Sequence, residues 1–324
     1  MLTAYRLSDK GLEPLPLGEP PSLPQTTVWI DLFQPTQEED RLAEGFLGAA
    51  VPTREEALEI EFSSRFYEED GAVYMTSPLL TGIQSGKPIL TPFTIIVGDN
   101  RIVTVRYEEL RAFTQFLTRA VKPGVCTSVP TVLITLIEEI VERSADVLER
   151  IGLDIDRINQ EIFKKRTGRT HVGTSLEDLI AEIGLQADIA AKARESLATL
   201  ERLVQFAGVA LPATFGKGMV RNRLKLAGRD IRSLEDHVTF QSNKLTFLLD
   251  ATLGLISTQQ NEVIRILTVG TGIFFPPTLI GTTYGMNFQY MPELDWPFGY
   301  PFSLGLMLVS AVIPYIYFKR KGWL

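Results

Sequence analysis

From Ile266 to Pro292 the chain carries no charged side chain, and a second uncharged run, Trp296 to Phe318, ends at Lys319-Arg320-Lys321. The stretch from Ile266 to Tyr284 has close to the ~20 residues that cross ~30 Å of hydrocarbon as a helix. Two such spans joined by a short polar loop predict a helical membrane hairpin. Lys and Arg near span ends stay on the cytoplasmic side, so the C-terminus is expected inside. The region before the first span is then inside too, and the loop Asn287 to Asp295 is outside, with Glu293 and Asp295 and no basic residue. Thr3-Ala4-Tyr5-Arg6-Leu7 reads as a strand, so no leader is expected to be removed. The expected location is the bacterial inner membrane with both termini cytoplasmic.

The rest is soluble in character, which reconciles two spans with 22% charged residues and a mean hydropathy of +0.09. A region of that size can bury a real core. A net charge of −7 argues against nucleic acid as a partner. The single cysteine, Cys126, excludes an internal disulfide and a cysteine-based zinc cluster. His171 and His237 are too few for an imidazole-rich site, so if the chain handles a metal the sequence favours a hard cation with oxygen ligands.

Three regions are expected: an α/β domain over residues 1–127, a helical domain and stalk over 128–260, and the hairpin with its basic tail over 261–324. In the first, Thr26–Phe33 alternates like a strand, and Ile89–Tyr107 reads as a hairpin around Gly98-Asp99-Asn100. Thr36–Leu47 and Thr53–Ile60 look helical, each opening on Thr with Glu in the first turn, and Pro14–Pro24 reads as a loop. After Pro130 the apolar residues fall at helical spacing. Helices are expected over Val132–Phe163, Ser175–Ala207, and from Met219 through the first span, the last a rod of about 65 residues or ~100 Å. Its apolar stripe (Leu234, Val238, Leu245, Leu248, Leu249, Leu253, Ile256) needs neighbours.

The first span and the helix leading into it also carry polar residues on one face: Asp250, Ser257, Asn261, Thr271, Thr278 and Thr282. Threonines bonded to their own helix and glycines such as Gly281-x-x-x-Gly285, which let helices approach, give one explanation. A water-filled path gives the other, favoured by a carboxylate and an amide at its entrance. Two spans cannot enclose a pore, so a path requires a symmetric oligomer. Pro276-Pro277 removes two backbone donors within the span, and Leu267 and Phe275 on the same stripe could form rings that close a path by dewetting.

The block Tyr284-Gly-Met-Asn-Phe288, then Met291-Pro-Glu-Leu294, Trp296, Phe298-Gly-Tyr-Pro301 and the terminal Tyr317-Phe-Lys-Arg-Lys-Gly-Trp-Leu324 closely resembles the CorA family of bacterial magnesium transporters. The resemblance extends to Ser242-Asn-Lys-Leu-Thr-Phe-Leu-Leu-Asp250 and Glu61-Phe-Ser-Ser-Arg65, and is weakest over residues 1–52. It implies an α+β cytosolic domain, a long helical stalk or funnel and a two-helix transmembrane hairpin, assembled as a membrane homopentamer. It also implies a carrier of Mg²⁺, often with Co²⁺ and Ni²⁺, whose outer mouth is ringed by Asn287, with Gly285 and Met286 shaping the turn. Family pore positions fall on Asp250, Asn261, Leu267 and Thr278, with Phe275 as a hydrophobic ring where some members have methionine. Asp295 stands where relatives often carry a basic residue.

The physical chemistry agrees with what the resemblance implies. Mg²⁺ dehydrates reluctantly, so neutral carboxamides accepting from its bound water suit it, and Glu293 and Asp295 would concentrate cations at the mouth. Mg²⁺ is the expected cargo, with no organic cofactor, and the expected partners are further copies of the chain and membrane lipid. The acidic residues Glu138, Glu139, Glu142, Asp146, Glu149, Asp154, Asp156 and Glu161 read either as a solvated helix face or as part of a Mg²⁺-sensing site, its residues unassigned. The alternatives are a zinc-type relative, against which Met286 and the sparse Cys and His speak, and a two-span membrane sensor. An enzyme is the weakest reading, as the chain shows no Ser/His/Asp or Cys/His constellation, no zinc motif and no dinucleotide loop. His237 reads as a surface residue.

Overall fold

The computed structural model describes residues 1–16, 23–166, 175–211, 218–287, 291–292 and 296–324. It divides into two compact units, Met1–Leu249 and Asp250–Leu324. The first opens with β1 (Leu2–Ser8), β2 (Gly11–Leu15) and β3 (Trp29–Phe33), then α1 (Gln37–Leu47), α2 (Arg54–Ala57) and α3 (Phe62–Arg65). It continues with β4 (Phe66–Glu69), β5 (Ala72–Thr81), β6 (Ile89–Gly98), β7 (Arg101–Arg106) and α4 (Arg111–Ala120). Seven strands form one sheet in the order β2-β1-β3-β7-β6-β5-β4. Among the described residues only β3 and β7 pair in parallel.

Period-two alternation sends each strand's residues to opposite faces. Ile30, Leu32, Val103 and Val105 meet Phe46 and Leu47 of α1 in one core. On the other face Trp29 stacks on Tyr5 at 4.3 Å and meets Phe113 and Phe116 of α4. Asp31 lies on this second face too, 3% exposed. Its carboxylate accepts from Thr104 Oγ1 at 2.8 Å and from Nε and Nη2 of Arg106 at 3.1 and 2.9 Å.

Thr36 caps α1 as expected and Thr53 caps α2, each in a reciprocal box with the glutamate three residues on. The second helix stops at Ala57, short of the expected Ile60. Leu58 and Ile60 are 52% and 87% exposed, so no burial extends it. Pro14 falls in β2, where a loop was expected. It is tolerated because β2 is an edge strand and needs no donor on its outer side.

Three long helices follow: α5 (Val129–Arg166), α6 (Leu176–Ala210) and α7 (Met219–Tyr284). Pro130 lies inside the first turn of α5, where a missing N–H costs nothing, and Thr131 Oγ1 accepts from the Thr127 and Ser128 amides there. Ile140, Leu148, Ile151 and Ile155 of α5 are buried, as are Ala190, Leu197 and Leu200 of α6 and Ile231, Val238, Leu245 and Leu248 of α7. Leu253, expected in the α7 stripe, is 49% exposed.

Candidate functional site

The second unit holds the end of α7 and α8 (Gly299–Arg320), both long and apolar enough to cross a membrane. Along α7, Val269 is buried, and Ile273, Pro276, Ile280 and Tyr284 are partly covered. The three- and four-residue spacing turns one side of the helix toward its neighbour. A Cβ on Gly272 would lie 2.7 Å from Phe318 Cε2, and one on Gly281 would lie 3.0 Å from Met307 Cε, so these glycines set how closely α8 approaches. Gly285 has a different role from Gly281. A Cβ there would meet the Gly281 carbonyl oxygen at 3.1 Å, within its own helix end.

Thr271, Phe275, Thr278 and Thr282 lie on the opposite side of α7 and are exposed. At about 100° per residue, Asp250, Asn261 and Leu267 return to the same third of the circumference, and each is exposed. The residues expected to line a pore thus share one third of the circumference; over 271–282 that side is opposite the one α8 covers, whereas residues 257–268 are exposed all round. The helix runs unbroken through Pro276 and Pro277. Thr278 Oγ1 donates to the Phe274 carbonyl and Thr282 Oγ1 to that of Thr278, each at 2.7 Å.

At its end α7 tightens, the Gly285 amide donating to Gly281 O at 3.0 Å and that of Met286 to Thr283 O at 3.4 Å. Asn287 follows, exposed. Glu293 and Asp295, like Phe288 and His171, lie outside the described residues. At the far end of α8, Lys321 Nζ sits 4.7 Å from the Trp323 ring centroid, and Trp323 stacks on Phe318. Basic and aromatic side chains together suit a membrane interface.

The acidic residues of α5 are largely engaged. Glu138 binds Arg223 at 2.6 Å, Glu139 binds Arg119 at 2.6 Å, and Asp156 binds Lys244 at 2.6 Å. Asp154 accepts from Gln186 and Arg157. The hydrogen bond that Arg119 donates to the Glu139 carboxylate holds its guanidinium above its ordinary pKa. Among the described residues no group of three His, Cys, Asp or Glu side chains is placed to hold a metal ion. His237 is exposed, with its Nε2 3.0 Å from Gln241 Nε2. Sequence reasoning missed the role of Gly272, because its partner Phe318 is distant along the chain.

Comparison with known proteins agrees with this architecture. Residues 24–320 match the family model described as CorA-like Mg2+ transporter protein. The chain is 32% identical to the magnesium transport protein CorA of Pectobacterium atrosepticum and to that of Escherichia coli K12, covering 100% of both chains in each case. Its fold is similar to the complete structure of the CorA magnesium transporter from Methanocaldococcus jannaschii, with TM-score 0.78 at 20% identity over 100% of this chain and 99% of that one. With the signature at the end of α7, the paired apolar helices and a match over nearly the whole length, the chain belongs to the CorA-like Mg2+ transporter family.

Proposed function

We propose that the chain forms a homopentameric pore that carries Mg²⁺ into the cell down its electrochemical gradient, with Co²⁺ and Ni²⁺ as further cargo. The observation that carries this reading is the uncovered face of α7. Asp250, Asn261, Thr271, Thr278 and Thr282 share it with Leu267 and Phe275, while the chain's own second span packs on the other side. A polar face has no place against lipid, and copies arranged around an axis would turn it onto a water-filled path.

In this arrangement Asn287 rings the outer mouth and its carboxamide oxygens accept from water held by Mg²⁺, whose hydration shell is costly to strip. Gly285 and Met286 set the turn that presents it. Glu293 and Asp295 raise the cation concentration outside. Leu267 and Phe275 form apolar rings that close the path by dewetting. The termini are cytoplasmic, with Lys319, Arg320 and Lys321 at the inner face of the second span. An inside-negative potential supplies roughly 4.6 kcal/mol per 100 mV for two charges. Cytosolic Mg²⁺ bridging carboxylates of neighbouring copies closes the pore, as a ligand favours the state it binds better.

The test is Mg²⁺ uptake into proteoliposomes under an imposed inside-negative potential, comparing the native chain with Asn287→Ala and adding cobalt hexaammine as a mimic of the hydrated ion. Potential-driven uptake that the mimic blocks and the substitution abolishes is expected. Uptake indifferent to Asn287, or none from folded oligomer, overturns the reading.

A further inference from the structure

A cavity of about 360 Å³ opens in the first unit between the end of β5, the turn Ile83–Ser85, the start of α4, and the middles of α5 and α6. That volume lies in the range of small-molecule sites. Its floor is apolar, built from Leu79, Ile140, Val147 and Ala193. Bonds between the elements brace its walls: Thr81 Oγ1 donates to Glu109 O at 3.2 Å, Lys192 Nζ to Pro88 O at 2.9 Å, and Arg111 Nη2 to Gln84 Oε1.

Polar groups converge on this apolar floor. Helix α4 starts at the cavity with Leu110 at its cap position, no side-chain cap and no acidic residue in its first turn. The first α4 amide with a described backbone partner is that of Phe113, which donates to Leu110 O. The Arg111 and Ala112 amides therefore stand free at the positive end of the helix dipole. Ser196 of α6 lines the cavity only 3% exposed, and its hydroxyl has no partner among the described residues. That hydroxyl offers an unused donor and acceptor to a group in the cavity. Arg143, which donates to the Asp146 carboxylate at 3.3 Å, adds a half-buried guanidinium to a lining that also holds Arg111 and Glu109.

The geometry points to a binding site for a small organic anion, its acidic group held by the α4 amides, Arg143 and Ser196 and its short apolar body lying on Leu79, Ile140 and Val147. The site is independent of the ion path. It gives the soluble unit a means of sensing a metabolite, since a ligand that binds one arrangement of α4, α5 and α6 better than another shifts their balance.

The test is equilibrium dialysis of the full chain in detergent against radiolabelled phenylacetate, with 2-phenylethanol as the uncharged counterpart and inorganic phosphate as the acidic group alone. Saturable phenylacetate binding is expected, about tenfold or more tighter than that of the alcohol. Arg143→Gln should weaken it about tenfold, and Ser196→Leu, which fills the cavity, should abolish it. Both variants should keep the native thermal unfolding midpoint to within a few degrees, and a variant that does not is replaced by Ile140→Phe, which blocks the floor. Absence of saturable binding up to ~10 mM, binding of phosphate alone, or equal affinity in native and variant chains overturns the proposal. Mg²⁺ uptake is measured separately, so loss of one result leaves the other standing.

Discussion

Replacing Arg106 with leucine tests how the sheet holds a buried carboxylate. The substitution removes two close bonds to Asp31 Oδ2, at 3.1 and 2.9 Å, and a cation that lies 4.5 Å from the Phe33 ring centroid and 4.7 Å from that of Phe113. Breaking a buried pair from one side costs about 3–5 kcal/mol, because the other charge stays buried. For a unit of this size, each kcal/mol lowers the unfolding midpoint by about 2–4 °C, so a fall of roughly 8–16 °C is expected for ~4 kcal/mol. Burial already holds the Asp31 carboxyl above its usual range, against the opposing pull of Arg106 and Thr104. Without Arg106 it rises further, and the folded state keeps a proton that the unfolded chain, with its aspartate near pKa ~3.9, has released. Stability of the variant should therefore fall as pH rises between those two values, by up to ~1.4 kcal/mol per pH unit. Thermal unfolding of the full chain in detergent, followed by circular dichroism at pH 5 and pH 8, measures both effects. Asp31→Asn added to Arg106→Leu should restore more than half the loss. A midpoint shift below about 3 °C, or equal losses at the two pH values, would refute the reasoning.

Other outcomes follow from single contacts. Gly272→Val should weaken packing of α7 on α8 by about 1–3 kcal/mol, since its Cβ would sit 2.7 Å from the Phe318 ring, whereas Gly270→Ala, with nothing within 4 Å, should be near neutral; thermal stability in detergent compares them. Thr104→Val should cost about 1–3 kcal/mol, because the Trp29 indole N–H loses its acceptor and Asp31 loses a donor, and quenching of Trp29 fluorescence should report the opened site. Burial pushes the Cys126 thiol up to about 11, so maleimide at pH 7.5 should leave the native chain unlabelled and react only after denaturation.

The features most legible in the sequence were those set by long-range periodicity. Two uncharged runs gave the spans, and apolar spacing after Pro130 gave three helices to within a few residues of α5, α6 and α7. Asp99 and Asn100 do turn a hairpin, both at positive φ. The β4–β5 hairpin was not read from the sequence, although Asp70-Gly71 turns it in the same way; Pro78 sits inside β5, as Pro92 sits inside β6. They pair opposite each other in the sheet. Helix α4 was missed because it opens on Leu110 and lacks a capping residue. The polar face of α7 was visible as a spacing, but which side α8 would cover depended on Gly272 meeting Phe318, a contact that no local pattern announces.

The threonines of that face have one further consequence. Each hydroxyl owns a single proton, and Thr278 and Thr282 have already committed theirs to carbonyls of their own helix. What they turn outward is lone pairs alone, so the face is chemically one-sided at these two positions. Water around a cation points its hydrogens outward and finds acceptors there, whereas water around an anion presents oxygen and meets more oxygen. In the proposed pore, discrimination by the sign of charge can thus arise at these two positions from neutral residues.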